Sequence, residues 1–190
     1  MSHVFKQKTM KHIIAVILAL SLGFSGVWNA AAESSSVREY QVKAAFLYNF
    51  AKFIEWPDSA FSNENSPIII CVLGYDPFGE ALDVMREKTI GRRNILIKRV
   101  MDIEDLEECH ILFISSSERR NLSQILRIVR NKSVLTVGDT KGFAYSGVII
   151  NIASEENRLG FEINVDAAQR AHLKLSSKIL KLGKIVKEDG

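Results

Sequence analysis

Apolar residues recur at helical spacing from Val37 to Glu55, then give way to short continuous runs. At about 100° per residue, Val42, Phe46, Phe50 and Phe53 fall together, with Leu47, Ala51 and Ile54 beside them. Gln41, Tyr48, Lys52 and Glu55 lie opposite, and Pro57 drives Trp56 out of the α region, so a core-facing helix is predicted to end there. A membrane-surface helix would line its polar face with lysines and arginines, whereas this face is mixed. After the linker "DSAFSNENSP", the run "IIICVLG" reads as a strand covered on both faces. "GYDPFGEALDVM" predicts a helix with Asp76 as N-cap and Pro77 in its first turn. "NILIKRV" is a second strand, followed by a short acidic helix around Asp102 to Glu107. "HILFIS" is a third strand, "SSERRNLSQILRIVRN" a capped helix, and "SVLTVG" a fourth strand.

Strands alternating with helices predict a mostly parallel sheet. "GVIINIA" and "RLGFEINV" flank "SEEN" as a C-terminal antiparallel hairpin, and the tail "DAAQRAHLKLSSKILKLGKIV" reads as helix in two pieces with Ser176 able to cap the second. The expected architecture is one compact α/β domain with helices on both sides of the sheet.

The front of the chain changes where that domain starts. Lys6, Lys8 and Lys11 precede an apolar run from Ile13 to Trp28, and Ala30-Ala31-Ala32 supplies small residues for cleavage. The run is broken by Ser21, Gly23, Ser25 and Gly26, short of the ~20 residues of a bilayer span. A signal peptide over 1–32, removed near Ala32, and an exported domain over 33–190 are expected. The leader holds three lysines and no acid, so the formal charge of +3 belongs to it and the remainder is neutral. Nothing in that balance favours a polyanion partner, since nucleic-acid binding needs clustered excess cations. Both cysteines, Cys71 and Cys109, lie in the exported part. An isolated pair in an oxidising compartment points to a disulfide, with two buried thiols as the alternative.

The chemistry is sparse. In such sheets ligands gather beyond the carboxyl ends of the strands, which here are predicted to bring together Gly74, Asp76, Ser115, Ser116, Gly138 and Asp139. Those serines and aspartates are equally ordinary caps, and no phosphate-cradling glycine motif follows a strand. Two histidines remain, His110 and His172, and no G-x-S-x-G elbow is present. Cys71, Cys109 and His110 lack paired metal-ligand spacing. Arg158 and Glu162 stand four apart on one strand and so share a face. No cofactor is expected and nothing proposes an enzyme.

"YQVKAAFLYNFAKFIEWP", "NRLGFEIN" and "LKLSSKILKLGKIV", in this order, resemble the YfiR family of periplasmic proteins. The carriers are Phe46, Tyr48, Phe50, Trp56-Pro57, the strand from Arg158 to Asn164, and Ser176-Ser177-Lys178. The resemblance implies a non-enzymatic repressor that binds the periplasmic sensor region of an inner-membrane diguanylate cyclase and lowers cyclic-di-GMP. It also implies a homodimer, a response to redox state, and release of repression by an outer-membrane lipoprotein. Redox-sensing members carry a second cysteine pair around the segment matching "FAYSGVIIN", where this chain has none. Tyr48, Lys52 and Trp56, off the core stripe, together with Arg158 and Glu162, are the expected partner-binding residues, since aromatics and arginine anchor interfaces. The alternative is a small-molecule binder using the crevice at the strand ends.

Overall fold

The computed structural model describes residues 25–103, 106, 108–155 and 158–188, with backbone alone for 25–35, 155 and 158. The chain divides into two compact units, 1–39 and 40–190. Helix α1 (Ser25–Phe53) begins in the first, and its residues from Tyr40 onward belong to the second, which holds the whole sheet. The expected leader up to residue 24 lies outside the described residues, and the expected cleavage point near Ala32 falls within α1. Among the described residues no helix is long and apolar enough to cross a membrane.

The main sheet is built from β2 (Ile68–Leu73), β3 (Thr89–Ile90), β4 (Arg93–Val100), β5 (Ile111–Ile114), β6 (Leu135–Gly138), β7 (Ile150–Glu155), β8 (Arg158–Asn164) and β10 (Gly183–Val186). Their order across the sheet is β10-β8-β7-β6-β5-β2-β4-β3. Only β3 with β4 and β7 with β8 pair antiparallel; the other neighbours are parallel. Thus the α/β fold, the mostly parallel sheet and the C-terminal hairpin are all present. A separate two-stranded ribbon pairs β1 (Ile54–Glu55) with β9 (Lys174–Leu175). It ends α1 at Phe53, ahead of the proline that the sequence pattern pointed to.

The central strands read as continuous apolar runs because both faces are covered. Ile70, Val72, Ile111, Phe113, Leu135 and Val137 face α1, Leu82 and Met85. Cys71, Leu73, Leu112 and Ile114 face helix α2 (Leu122–Val129), whose Leu122, Ile125 and Val129 are buried. Helices α3 (Val165–Arg170) and α4 (Ser177–Leu180) contribute Ala167, Ala168 and Ile179 to the α1 side. Asn164 caps α3, its Oδ1 accepting from the Ala167 amide at 2.8 Å.

Three sequence expectations change. Residues 79–87 form two short 3-10 segments, Gly79–Ala81 and Asp83–Glu87, in place of an α-helix. Asp76 does stand at their head, accepting from the Phe78 amide at 2.8 Å. The buried face of α1 centres on Ala44, Leu47, Phe50 and Ala51; Phe46 and Phe53 are half-buried, and Val42 is 44% exposed. The tail is not wholly helical, because "GKIV" adds to β8 as the edge strand β10 and displaces the hairpin from the end of the sheet. Glu104, Asp105 and Glu107 of the expected acidic helix lie outside the described residues.

Candidate functional site

Chain order reverses at β2, which neighbours both β4 and β5. The crevice expected to hold a ligand therefore opens where β2 and β5 end. The loops close tightly there. Gly74 has φ +84°, and a Cβ on it would meet Ser117 Oγ at 2.4 Å. Ser115 is buried and Ser116 exposed. Asp76 accepts from Arg99 Nε at 2.6 Å, and Arg99 also reaches Asp83 and the Gly79 carbonyl. Hydrogen bonds from Arg99 and then Arg86 hold the Asp83 carboxyl below its ordinary range. Gly138 is closed by Phe143, whose ring would lie 2.6 Å from an added Cβ.

Asp139 is engaged from α1. It accepts from Lys43 Nζ at 2.7 Å and from the Tyr40 hydroxyl at 2.9 Å, while the ammonium lies 4.3 Å from the centroid of the Tyr40 ring. Lys43 is only 4% exposed. The carboxylates predicted for a ligand, Asp76 and Asp139, thus both bond cations of the chain itself. Tyr40, Lys43 and Arg99 were not among the sequence candidates. Their signal was faint: a lysine one turn before Leu47 on a helix that otherwise buries apolar side chains.

The five expected partner-binding residues do not share one surface. Tyr48 and Lys52 lie together on α1. The Tyr48 hydroxyl donates to the Thr89 carbonyl at 3.2 Å, and Lys52 and Lys88 stand 5.1 and 5.3 Å from its ring centroid. Beside them a groove of about 470 Å³ runs between α1 and the 3-10 segments, lined by Ala44, Ala45, Tyr48, Ala81 and Val84. Val84 is 63% exposed in it.

Trp56 stands apart, near the amino end of β5. It packs edge-on against His110 at 6.4 Å between centroids, and its indole Nε1 is enclosed with no hydrogen-bond partner among the described residues. His110 Nδ1 accepts from the Ile69 amide at 3.2 Å, which places the proton on Nε2, donating to the Ala60 carbonyl at 3.0 Å. Phe61 stacks on the imidazole at 4.6 Å, and the Arg93 guanidinium lies 3.6 Å from the Phe61 centroid. Burial pushes the His110 pKa down from 6.5. The imidazole is a neutral structural pin, and the neighbouring Cys109 is joined to Cys71 in a disulfide with 5.8 Å between Cα atoms.

Glu162 stands on the far side of the sheet from α1, since Phe161 and Ile163 pack toward that helix. Its carboxylate accepts from Asn151 Nδ2 at 3.0 Å. Arg158 opens β8, and its side chain lies outside the described set.

Residues 40–184 match the YfiR/HmsC-like family. The chain belongs to that family. The match begins at Tyr40, which bonds Asp139, and ends within β10, so the YfiR/HmsC-like region embraces the Lys43–Asp139 pair, the disulfide, the His110 pin and the Tyr48 groove. Among the described residues no group of three His, Cys, Asp or Glu is placed to hold a metal ion.

Proposed function

We propose that this YfiR/HmsC-like protein is an exported, non-enzymatic regulator that works by binding. Its target is the periplasmic region of an inner-membrane diguanylate cyclase, which it represses, lowering cyclic-di-GMP. The observation that carries this reading is the Tyr48 groove: an aromatic ring flanked by Lys52 and Lys88 beside an apolar trough containing the exposed Val84. Interfaces draw on amphipathic aromatics of this kind, rimmed by polar groups around an apolar centre. The bridged cysteines suit an oxidising compartment. A homodimer in the envelope, a cleaved leader over 1–32 and release by an outer-membrane lipoprotein belong to the same proposal.

The test is capture of the tagged protein's partners from solubilised host membranes, identified by mass spectrometry. The expected result is a membrane protein with a periplasmic sensor and a cytoplasmic cyclase, lost with Tyr48→Ala or Val84→Asp. Equal recovery by both variants removes the groove from the proposal. Cyclases that are expressed but never enriched over a control bait overturn the repressor reading.

A further inference from the structure

The two edges of the sheet are finished differently. At one, β3 is two residues long, a common way to blunt an edge. At the other, β10 is four residues long, and among the described residues no strand pairs with its outer side. β10 lies close against β8 because Gly183 carries no side chain: a Cβ there would meet Ile163 Cδ1 at 2.5 Å. In register, Lys184 stands beside Glu162 and Ile185 beside Ile163, so the two residues face opposite sides of the sheet. Ile185 is 52% exposed and Leu182, just before the strand, 64%.

The charge of the stretch that carries this edge is one-sided. Residues 174–187 contain five lysines (174, 178, 181, 184 and 187) and no acid, in an exported part that is otherwise acidic. All five are exposed. Lys174 stands across from Glu55 in the small ribbon, and Lys184 donates to the Tyr145 hydroxyl at 3.3 Å. Glu162, the register neighbour of Lys184, accepts from Asn151, and Glu188, just past the strand, accepts from Arg170 at 2.5 Å. Lysines at an edge discourage self-pairing, and alone they would need no further account. The exposed Leu182 and Ile185 between them do need one, because apolar side chains do nothing to repel a strand.

We propose that the β10 edge receives an extended segment of a partner protein as an added strand, with acidic and apolar residues alternating along it. Main-chain hydrogen bonds to β10 supply the pairing. The acidic residues meet Lys184 on one face, with Lys181 and Lys187 at the ends, and the apolar residues cover Ile185 on the other. This edge lies across the sheet from the Tyr48 groove, and its assignment does not rest on the cyclase reading.

The experiment uses the exported protein and a labelled synthetic peptide of alternating glutamate and valine. A peptide of alternating lysine and valine and vesicles of phosphatidylglycerol serve as comparisons. The expected result is binding of the acidic peptide alone, slowed amide exchange confined to 183–186 and its flanks, and affinity about tenfold weaker in Lys184→Glu combined with Ile185→Asp. Should that variant fail to fold, Lys181→Glu with Lys187→Glu, outside the strand, is expected to weaken binding in the same direction. Absence of peptide binding, unchanged exchange at 183–186, or preference for the vesicles overturns the proposal. So does a charge variant that self-associates while its peptide affinity is unchanged, which would assign the lysines to edge protection alone.

Discussion

The part of α1 that packs on the sheet is pinned at both ends by different physics. At the carboxyl ends of the strands the pin is ionic, with Lys43 and Tyr40 converging on Asp139. At the amino ends, just past the helix, the pin is neutral: Trp56 and Phe61 enclose an uncharged His110 held by Ile69 and Ala60. A buried ion pair costs desolvation, and its value appears when one partner is lost. A buried neutral imidazole is undisturbed until acid demands that it charge. The two ends should therefore fail under different conditions.

The largest effect belongs to the ionic end. Asp139→Ala removes the carboxylate 2.7 Å from a buried ammonium and should cost up to about 5 kcal/mol in urea unfolding. Replacing both members, Lys43→Met with Asp139→Leu, should recover most of that loss. A double variant as unstable as the single one would show that the pair matters through something other than buried charge.

Losing the disulfide comes next. It spans a sequence separation of 38, and removing it should cost about 4 kcal/mol by the chain-entropy estimate. Because Cys109 adjoins His110, Cys71→Ser with Cys109→Ser should raise amide exchange around 57–67 and 109–111 before it rises around Tyr40. Simultaneous loosening of both ends would erase the distinction between them.

Acid should act on the neutral end through His110. Burial is the main cause of the lowered His110 pKa; Arg93 pushes it the same way, while the Ala60 carbonyl and Glu108 oppose. The unfolded chain then binds the proton more readily than the folded one, so stability rises with pH. The contribution of His110 is fully present above its unfolded pKa of about 6.5 and is lost as pH falls from there through the lower folded value. His110→Gln keeps a donor and an acceptor but does not titrate, and its melting temperature should depend less on pH across that window. An unchanged slope would place the acid sensitivity elsewhere.

The smallest stability effect is expected on the open surface between the pins. Lys88→Ala should change unfolding free energy by no more than about 0.5 kcal/mol while weakening partner capture through the Tyr48 groove. Loss of stability with capture intact would make Lys88 a structural residue.

The local pattern of the sequence carried most of the architecture. Continuous β-branched runs marked β2, β5 and β6, a 3.6-residue period marked α1 and α2, and alternation marked the hairpin, because each records which faces a segment buries. The cysteine pair, in a chain expected to be exported, pointed to the bridge that the fold contains. The tail misled, since four residues ending a lysine-rich stretch read as helix until a neighbouring strand supplies their hydrogen bonds. Lys43 was hidden for a related reason. A lysine on a helix is ordinarily solvated, and Asp139, 96 positions away, helps to make its burial tolerable. The side of the sheet on which a residue lies was equally out of reach: Tyr48 and Glu162 look alike as polar positions off a core stripe, yet the sheet stands between them. Periodicity is local and fixes elements; long-range pairing of strands and charges decides which surfaces those elements share.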